Sequence, residues 1–338
     1  MALSVRDTLK ATGTAPKGTV SMWTDLIRRI PVYASNPIIS ARKQLDFVIG
    51  HSAIQGLKGT TGVAPAAGLW VDSENLVKDA ASYQAVLKFA RENGVKALYL
   101  PLQPFKVVLS AAEIKDRLQS ACDAPNFLAI ELVYSDDSVF TPPTDPKTTT
   151  QGAVDWVTGT LDKVCKQGHA NPVAVQADVE PQSLTAAQLS DGKAVNAWLA
   201  FLAAVGPKVH GYNIDFTVAT ALIHTLWSGT VAGKPVPKVS KWILDNSDRV
   251  VFMDYFATVA AVKTNANQWF NDTVKAGQVD IGIWAVTAKD PMKDEPNVNF
   301  LTKAAVADWL VDIAKSNAAV ATFGGVSVYR FEGMSKLG

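Results

Sequence analysis

The chain has 338 residues, 48% of them hydrophobic and 19% charged, with a formal net charge of +1. That length fits one large domain or two ordinary ones around a substantial core. The near-neutral balance supplies no global field for nucleic acid or an anionic membrane surface, and two cysteines, Cys122 and Cys165, are too few for a disulfide scaffold.

The first eighteen residues, MALSVRDTLKATGTAPKG, carry Arg6, Asp7 and Lys10 and lack a continuous apolar run, so they do not read as a secretory leader. A cytoplasmic location is the expectation. Helix-like segments follow around Trp23 to Arg29 and Ile38 to Ile54. No stretch approaches the roughly 20 apolar residues of a membrane-spanning helix.

From residue 68 onward short apolar runs alternate with helix-like stretches. The runs are 68–74, 97–103, 127–134, 173–180, 209–216, 250–256, 280–287 and 325–331. Between them Tyr83, Val86, Leu87 and Ala90 share a helical face, and Ser110 with Glu113 forms a capping-box start. Val154, Val157, Leu161 and Val164 repeat the spacing, as do Val195, Trp198, Leu199, Leu202 and Val205.

Eight strand signals alternating with helices match the rhythm of a (β/α)8 TIM barrel. A doubly wound open sheet is the alternative, but no Gly-rich phosphate loop follows the first strand. Only Glu332 to Gly338 remain after the last run, too few for an outer helix. Residues 1–60 are therefore expected to form a helical extension that covers the seam, with the barrel over residues 61–338. The stretch 135–150, SDDSVFTPPTDPKTTT, reads as a long loop.

Alternation along each strand then sorts side chains into wall and interior. The first strand sends Trp70, Asp72 and Glu74 inward, the third Glu131, the fourth Gln176, Asp178 and Glu180, and the fifth Asn213 and Asp215. The sixth leaves two readings, with either Asp254 or the pair Met253 and Tyr255 inside. Trp284 and Tyr329 complete the set. Carboxylates among aromatic rings suit a carbohydrate ligand, because sugar faces stack on aromatics and paired carboxyl groups can divide acid and base or nucleophile roles. No histidine belongs at the mouth and no lysine points inward at a strand end. A His-ligated zinc and Schiff-base chemistry are thus excluded, and no cofactor or metal is expected. Oxygen ligation of a divalent cation is an open alternative for the acidic row.

Asp178, Val179, Glu180 and Pro181 on the fourth strand, with Met253, Asp254 and Tyr255 on the sixth, resemble glycoside-hydrolase-like TIM barrels. The D-x-E-P pattern is similar to a group of microbial barrels and, more distantly, to family 18 chitinases. The resemblance implies Glu180 as general acid, with Asp178 orienting it or holding a substrate-derived nucleophile; in a hydrolase the second carboxylate is expected from Asp178, Asp254, Asp72 or Glu74. Gln176 stands where chitinases carry an aspartate, and Tyr329 replaces their tryptophan on the last strand. Two functions are carried forward: a glycoside hydrolase, or an inactive barrel that binds carbohydrate or serves in assembly.

Overall fold

A computed structural model of the chain describes most of residues 68–329, excepting 123–127, 140–149, 285–309 and shorter stretches. The expected N-terminal extension lies outside the described residues. Eight parallel strands close into a barrel: β1 (Gly68–Trp70), β2 (Ala97–Pro101), β3 (Ala129–Tyr134), β4 (Ala174–Ala177), β5 (Asp215–Ala221), β8 (Arg249–Met253), β9 (Val279–Trp284) and β10 (Phe323–Tyr329). Closure comes from β1, which pairs with β2 on one side and β10 on the other, Gly68 lying opposite both Ala97 and Ser327. A small antiparallel hairpin, β6 (Gly229–Val231) and β7 (Lys234–Val236), stands apart from the barrel sheet.

The helices on the outside are α1 (Glu74–Lys78), α2 (Ala80–Glu92), α3 (Gln103–Val107), α4 (Ala111–Cys122), α5 (Thr150–Val164), α6 (Lys193–His210), α7 (Val239–Asn246) and α8 (Val259–Phe270). Each buries the stripe that its spacing predicts. Tyr83, Val86, Leu87 and Ala90 of α2 are inaccessible, as are Val157, Leu161 and Val164 of α5 and Trp198, Leu199 and Val205 of α6. The start of α4 is capped as expected: the Ser110 N–H donates to Glu113 Oε2 at 2.8 Å and the Glu113 N–H to Ser110 Oγ at 3.4 Å. Cys122 is buried at the end of α4, and burial pushes the thiol of Cys165, just past α5, up to about 12, so it is inert as a nucleophile. None of the described helices is long and apolar enough to cross a membrane.

The fifth strand differs from its expected position. Residues 209–216 read as a strand because Val209, Ile214 and Phe216 are apolar, but α6 runs on through Pro207 to His210. Gly211, Tyr212 and Asn213 then turn the chain, Asn213 with φ of 58° in the left-handed region that asparagine tolerates. The strand begins at Asp215 and continues through Thr217, Val218, Ala219 and Thr220, whose small and hydroxylated side chains give a weak apolar signal. Asn213 and Asp215 therefore sit at the start of β5 and not at its end.

Inside the barrel, glycine makes room for aromatic rings. A Cβ on Gly68 would lie 2.3 Å from the Tyr99 ring, and one on Gly282 would lie 3.4 Å from Trp70. Because Tyr99 is fully buried and its hydroxyl is held by Ser327 at 2.9 Å, the ring has nowhere to retreat. Gly68→Ala is accordingly expected to destabilise the fold by roughly 1–3 kcal/mol, as overpacking does. Equilibrium urea unfolding measures it, and a neutral result would mean that the Tyr99 ring is free to move.

Candidate active site at the barrel mouth

The site stands on a buried ionic floor. Arg249, the first residue of β8, points into the barrel and bridges two carboxylates: Nη2 pairs with Glu131 from the middle of β3, and Nη1 lies 2.7 Å from Asp280 Oδ2 on β9. Thr217 Oγ1 donates to Glu131 Oε2 at 3.2 Å. All three charged residues are buried. Burial opposes the charge on Arg249, but Glu131 and Asp280 outweigh it and its pKa is raised further. Burial raises Asp280 to about 6, against the opposing pull of Arg249.

Above the floor comes a layer of rings and amides. Trp70 packs edge-on against Tyr99 with centroids 4.5 Å apart, and its Nε1 donates to Gln176 Oε1 at 2.9 Å. The Tyr99 hydroxyl, held neutral chiefly by burial, is tied to Ser327. Tyr329 meets Trp70 at 6.2 Å, and Tyr255 stacks on Tyr329 with centroids 6.3 Å apart and planes 27° from parallel. Trp70 itself is 4% exposed, so it braces the aromatic wall, whereas Tyr255 and Tyr329 are half-buried and offer ring surface to the mouth.

Asp178 and Glu180 follow Gln176 beyond the end of β4. The Asp178 N–H donates to Tyr134 O at 2.8 Å, which extends the ladder past the last regular pair. Both acids are half-buried while Val179 between them is buried, the alternation that a strand end facing a mouth requires. Consecutive same-face residues on such a backbone stand about 7 Å apart.

The other sequence-selected residues do not all join them. Asp72 is exposed just past the end of β1. Glu74 is not a strand residue: it opens α1 and pairs with Lys78 at 2.5 Å, one turn along the helix. Asn213 and Asp215 lie at the N-terminal face, opposite the mouth, where Asn213 lines a cleft of about 510 Å³ together with His210, Asp248 and Lys275. Glu131 belongs to the floor. Trp284 ends β9, its side chain outside the described part of the structure.

Asp254 lies on the wall side. Since Arg249 faces in, alternation sends Val251, Met253 and Tyr255 inward and Val250, Phe252 and Asp254 outward, and the contacts agree: Phe252 meets Trp269 of α8, and Asn265 of α8 donates to Asp254 Oδ1 at 3.3 Å. Of the two readings of this strand, the structure takes Met253 and Tyr255 as the inner pair, so Asp254 does not reach the mouth. Sequence reasoning missed the Arg249–Asp280 half of the floor and the Trp70–Gln176 bond. A signal for the first was present, an arginine and an aspartate opening two apolar strands at inward positions. Among the described residues no three His, Cys, Asp or Glu side chains cluster as a cation site requires.

No family model matches the chain, and no curated protein matches it. Solved structures do. A β-glucuronidase from Bacteroides uniformis superposes over 80% of this chain and 30% of its own, with a TM-score of 0.52 at 12% identity. The chain shares the barrel fold of glycoside hydrolases. A chitinase from Chromobacterium violaceum aligns over 80% of this chain and 96% of its own (TM-score 0.49, 12% identity), and the spore cortex-lytic enzyme SleL of Bacillus megaterium over 80% and 72% (TM-score 0.47, 11% identity).

Two consequences can be measured. Arg249→Met strands Glu131 and Asp280 in the interior and is expected to cost about 3–5 kcal/mol, most of it recovered when Glu131→Gln and Asp280→Asn are added. Failure of the added changes to recover stability would show that Arg249 acts through packing. Burial raises Asp254 to about 7, against the weaker lowering effect of Asn265. With an unfolded value near 3.9, the folded state binds the extra proton between about pH 4 and 7, so stability falls as pH rises through that window. Asp254→Asn should therefore stabilise the protein by roughly 2–4 kcal/mol at about pH 8 and much less at about pH 4. An equal effect at both pH values would contradict the assignment.

Proposed function

We propose that the protein is a carbohydrate-active barrel, a glycoside hydrolase that acts on an oligosaccharide or polysaccharide at the mouth, with Glu180 as general acid. The observation that carries this reading is the pair of half-buried acids past the end of β4, two and four residues beyond the Gln176 that bonds Trp70, at the same end of the barrel as the stacked rings of Tyr255 and Tyr329. Glu180 is the outer of the two and protonates the leaving glycosidic oxygen. Asp178, nearer the floor, orients Glu180 or holds a nucleophile derived from the substrate. Tyr255 and Tyr329 stack the sugar ring, and Asp72 binds hydroxyl groups at the rim. Trp284 is kept as a substrate-binding candidate from the sequence, its side chain lying outside the described part of the structure. Separation of the working carboxyl groups sets the outcome, about 5 Å for retention and about 6.5–9.5 Å for inversion.

The second reading is a barrel that binds carbohydrate, or serves in assembly, without turnover. It is favoured by Gln176, a neutral amide committed to Trp70 at the position beneath Asp178. A carboxylate there would press on Asp178 and help to separate the two protonation states; an amide exerts no such charge.

A panel of aryl glycosides and natural glycans separates the two. Turnover that drops by about 10²–10⁴-fold in Glu180→Gln supports the hydrolase. Binding that survives in Glu180→Gln, with no turnover in either protein, supports the second reading. Neither turnover nor binding across the panel would remove the hydrolase and the carbohydrate-binding readings and leave only the assembly role.

A further inference from the structure

Asp254 combines features that the mouth chemistry does not use. Its side chain is fully buried, Oδ1 has a single long hydrogen bond from Asn265, and Oδ2 has no hydrogen-bond partner. Yet its backbone is anchored, the N–H donating to Gly282 O of β9 at 2.9 Å, so the residue still belongs to the barrel ladder. One peptide bond further on, Tyr255 faces the other way, into the mouth, against Tyr329. A buried carboxyl on the wall side and a half-buried ring on the mouth side thus share one short segment at the end of β8.

We propose that Asp254 is a proton-dependent positioning residue for the aromatic wall: with its carboxyl neutral the end of β8 is seated and Tyr255 lies against Tyr329, and with its carboxyl ionised Tyr255 leaves that position. The physical reason is the missing partner. A neutral carboxyl tolerates an apolar pocket, but an ionised one with an unpartnered oxygen requires donors or water. The elements around it supply little: α8 presents the amide of Asn265, β9 presents Gly282, and neighbouring Phe252 on the same face is apolar. Among the described residues no charged side chain acts on it. Movement of the strand end would admit water to the ionised carboxyl, and that strand end carries Tyr255. The carboxyl titrates at about 7, which places the change near neutral pH.

Other groups that could mimic the effect are separable. Asp280 titrates at about 6 but lies in the floor, paired with Arg249. His224 is buried and held to about 3 by desolvation, so it stays neutral throughout. The structural claim stands on its own geometry; its consequence for sugar binding rests on the carbohydrate reading of the mouth.

The test uses the full-length protein with ring-¹³C tyrosine, its signals assigned through Tyr255→Phe and Tyr329→Phe, followed by NMR from about pH 5.5 to about pH 8.5. Both ring signals should shift together with a midpoint near 7, and Asp254→Asn should hold them at their low-pH positions throughout. Asn265→Ala, which removes the hydrogen bond that favours ionisation, should raise the midpoint, and it serves if Asp254→Asn does not fold. A flat wild-type profile, or a transition that persists in Asp254→Asn and disappears in Asp280→Asn, would overturn the proposal. Titration with chitin and cello-oligosaccharides then tests the consequence. Affinity that falls across the same transition supports it, whereas ring signals that move with no sugar bound at any pH leave the switch standing and remove the carbohydrate reading.

Discussion

Arg249 is the side chain on which the interior is organised. It enters from the start of β8, reaches Asp280 on the adjacent β9 and crosses the lumen to Glu131 on β3, two strands removed on the other side. Three charges in a space without water would each cost several kcal/mol alone, and only their mutual pairing makes the arrangement tolerable. The pairing leaves one excess negative charge, so Asp280, raised chiefly by burial, is raised further by Glu131 while the guanidinium is held charged. Such a cluster adds little net stability over an apolar core of the same volume. It does fix which face of three strands looks inward, because a slip of one residue would drive a charge into the helix layer.

The mouth inherits its geometry from that choice. With Arg249 inside, Tyr255 six residues later must also be inside and Asp254 outside; with Glu131 inside, Val133 follows on the same face. The layer between floor and mouth is filled by Tyr99 and Trp70, whose rings occupy volume left vacant at Gly68 and Gly282. Trp70 then ties the aromatic side of the barrel to the acidic side through Gln176, two residues before Asp178.

The barrel itself was legible because its signal is repeated: short apolar runs, helical stripes and caps recur, and Tyr83, Trp198 and the Ser110–Glu113 box fell where their spacing predicts. Position along a strand was harder to read than inward or outward sense. At residues 209–216 an apolar helix end and turn carried a stronger signal than the Thr- and Ala-rich strand after it, so Asn213 and Asp215 were expected at the wrong end. Glu74 was misplaced for a related reason. Period-two alternation was continued past Trp70, where the backbone leaves the sheet and Ser73 begins a helix. Fourth-strand alternation held because Val173, Val175, Ala177 and Val179 form an unbroken apolar face.

Glu131, Asp280, Asp254, Asp178 and Glu180 consequently fall into three electrostatic environments that sequence alone treats alike. Glu131 and Asp280 are buried beside a cation that both share and that offsets their charge in part. Asp254 is buried beside a neutral amide, so its charge has no compensation and the proton is retained into the neutral range. Asp178 and Glu180 are half-buried at an open strand end, where water and any bound ligand set the balance. Acid and base work requires a group whose protonation can change without unfolding the scaffold, and full burial works against that while open solvent supplies no bias. Of the three environments, only the strand end of β4 lies between those limits, which is why the proposed chemistry is placed there and not at the more strongly perturbed carboxyls below and behind it.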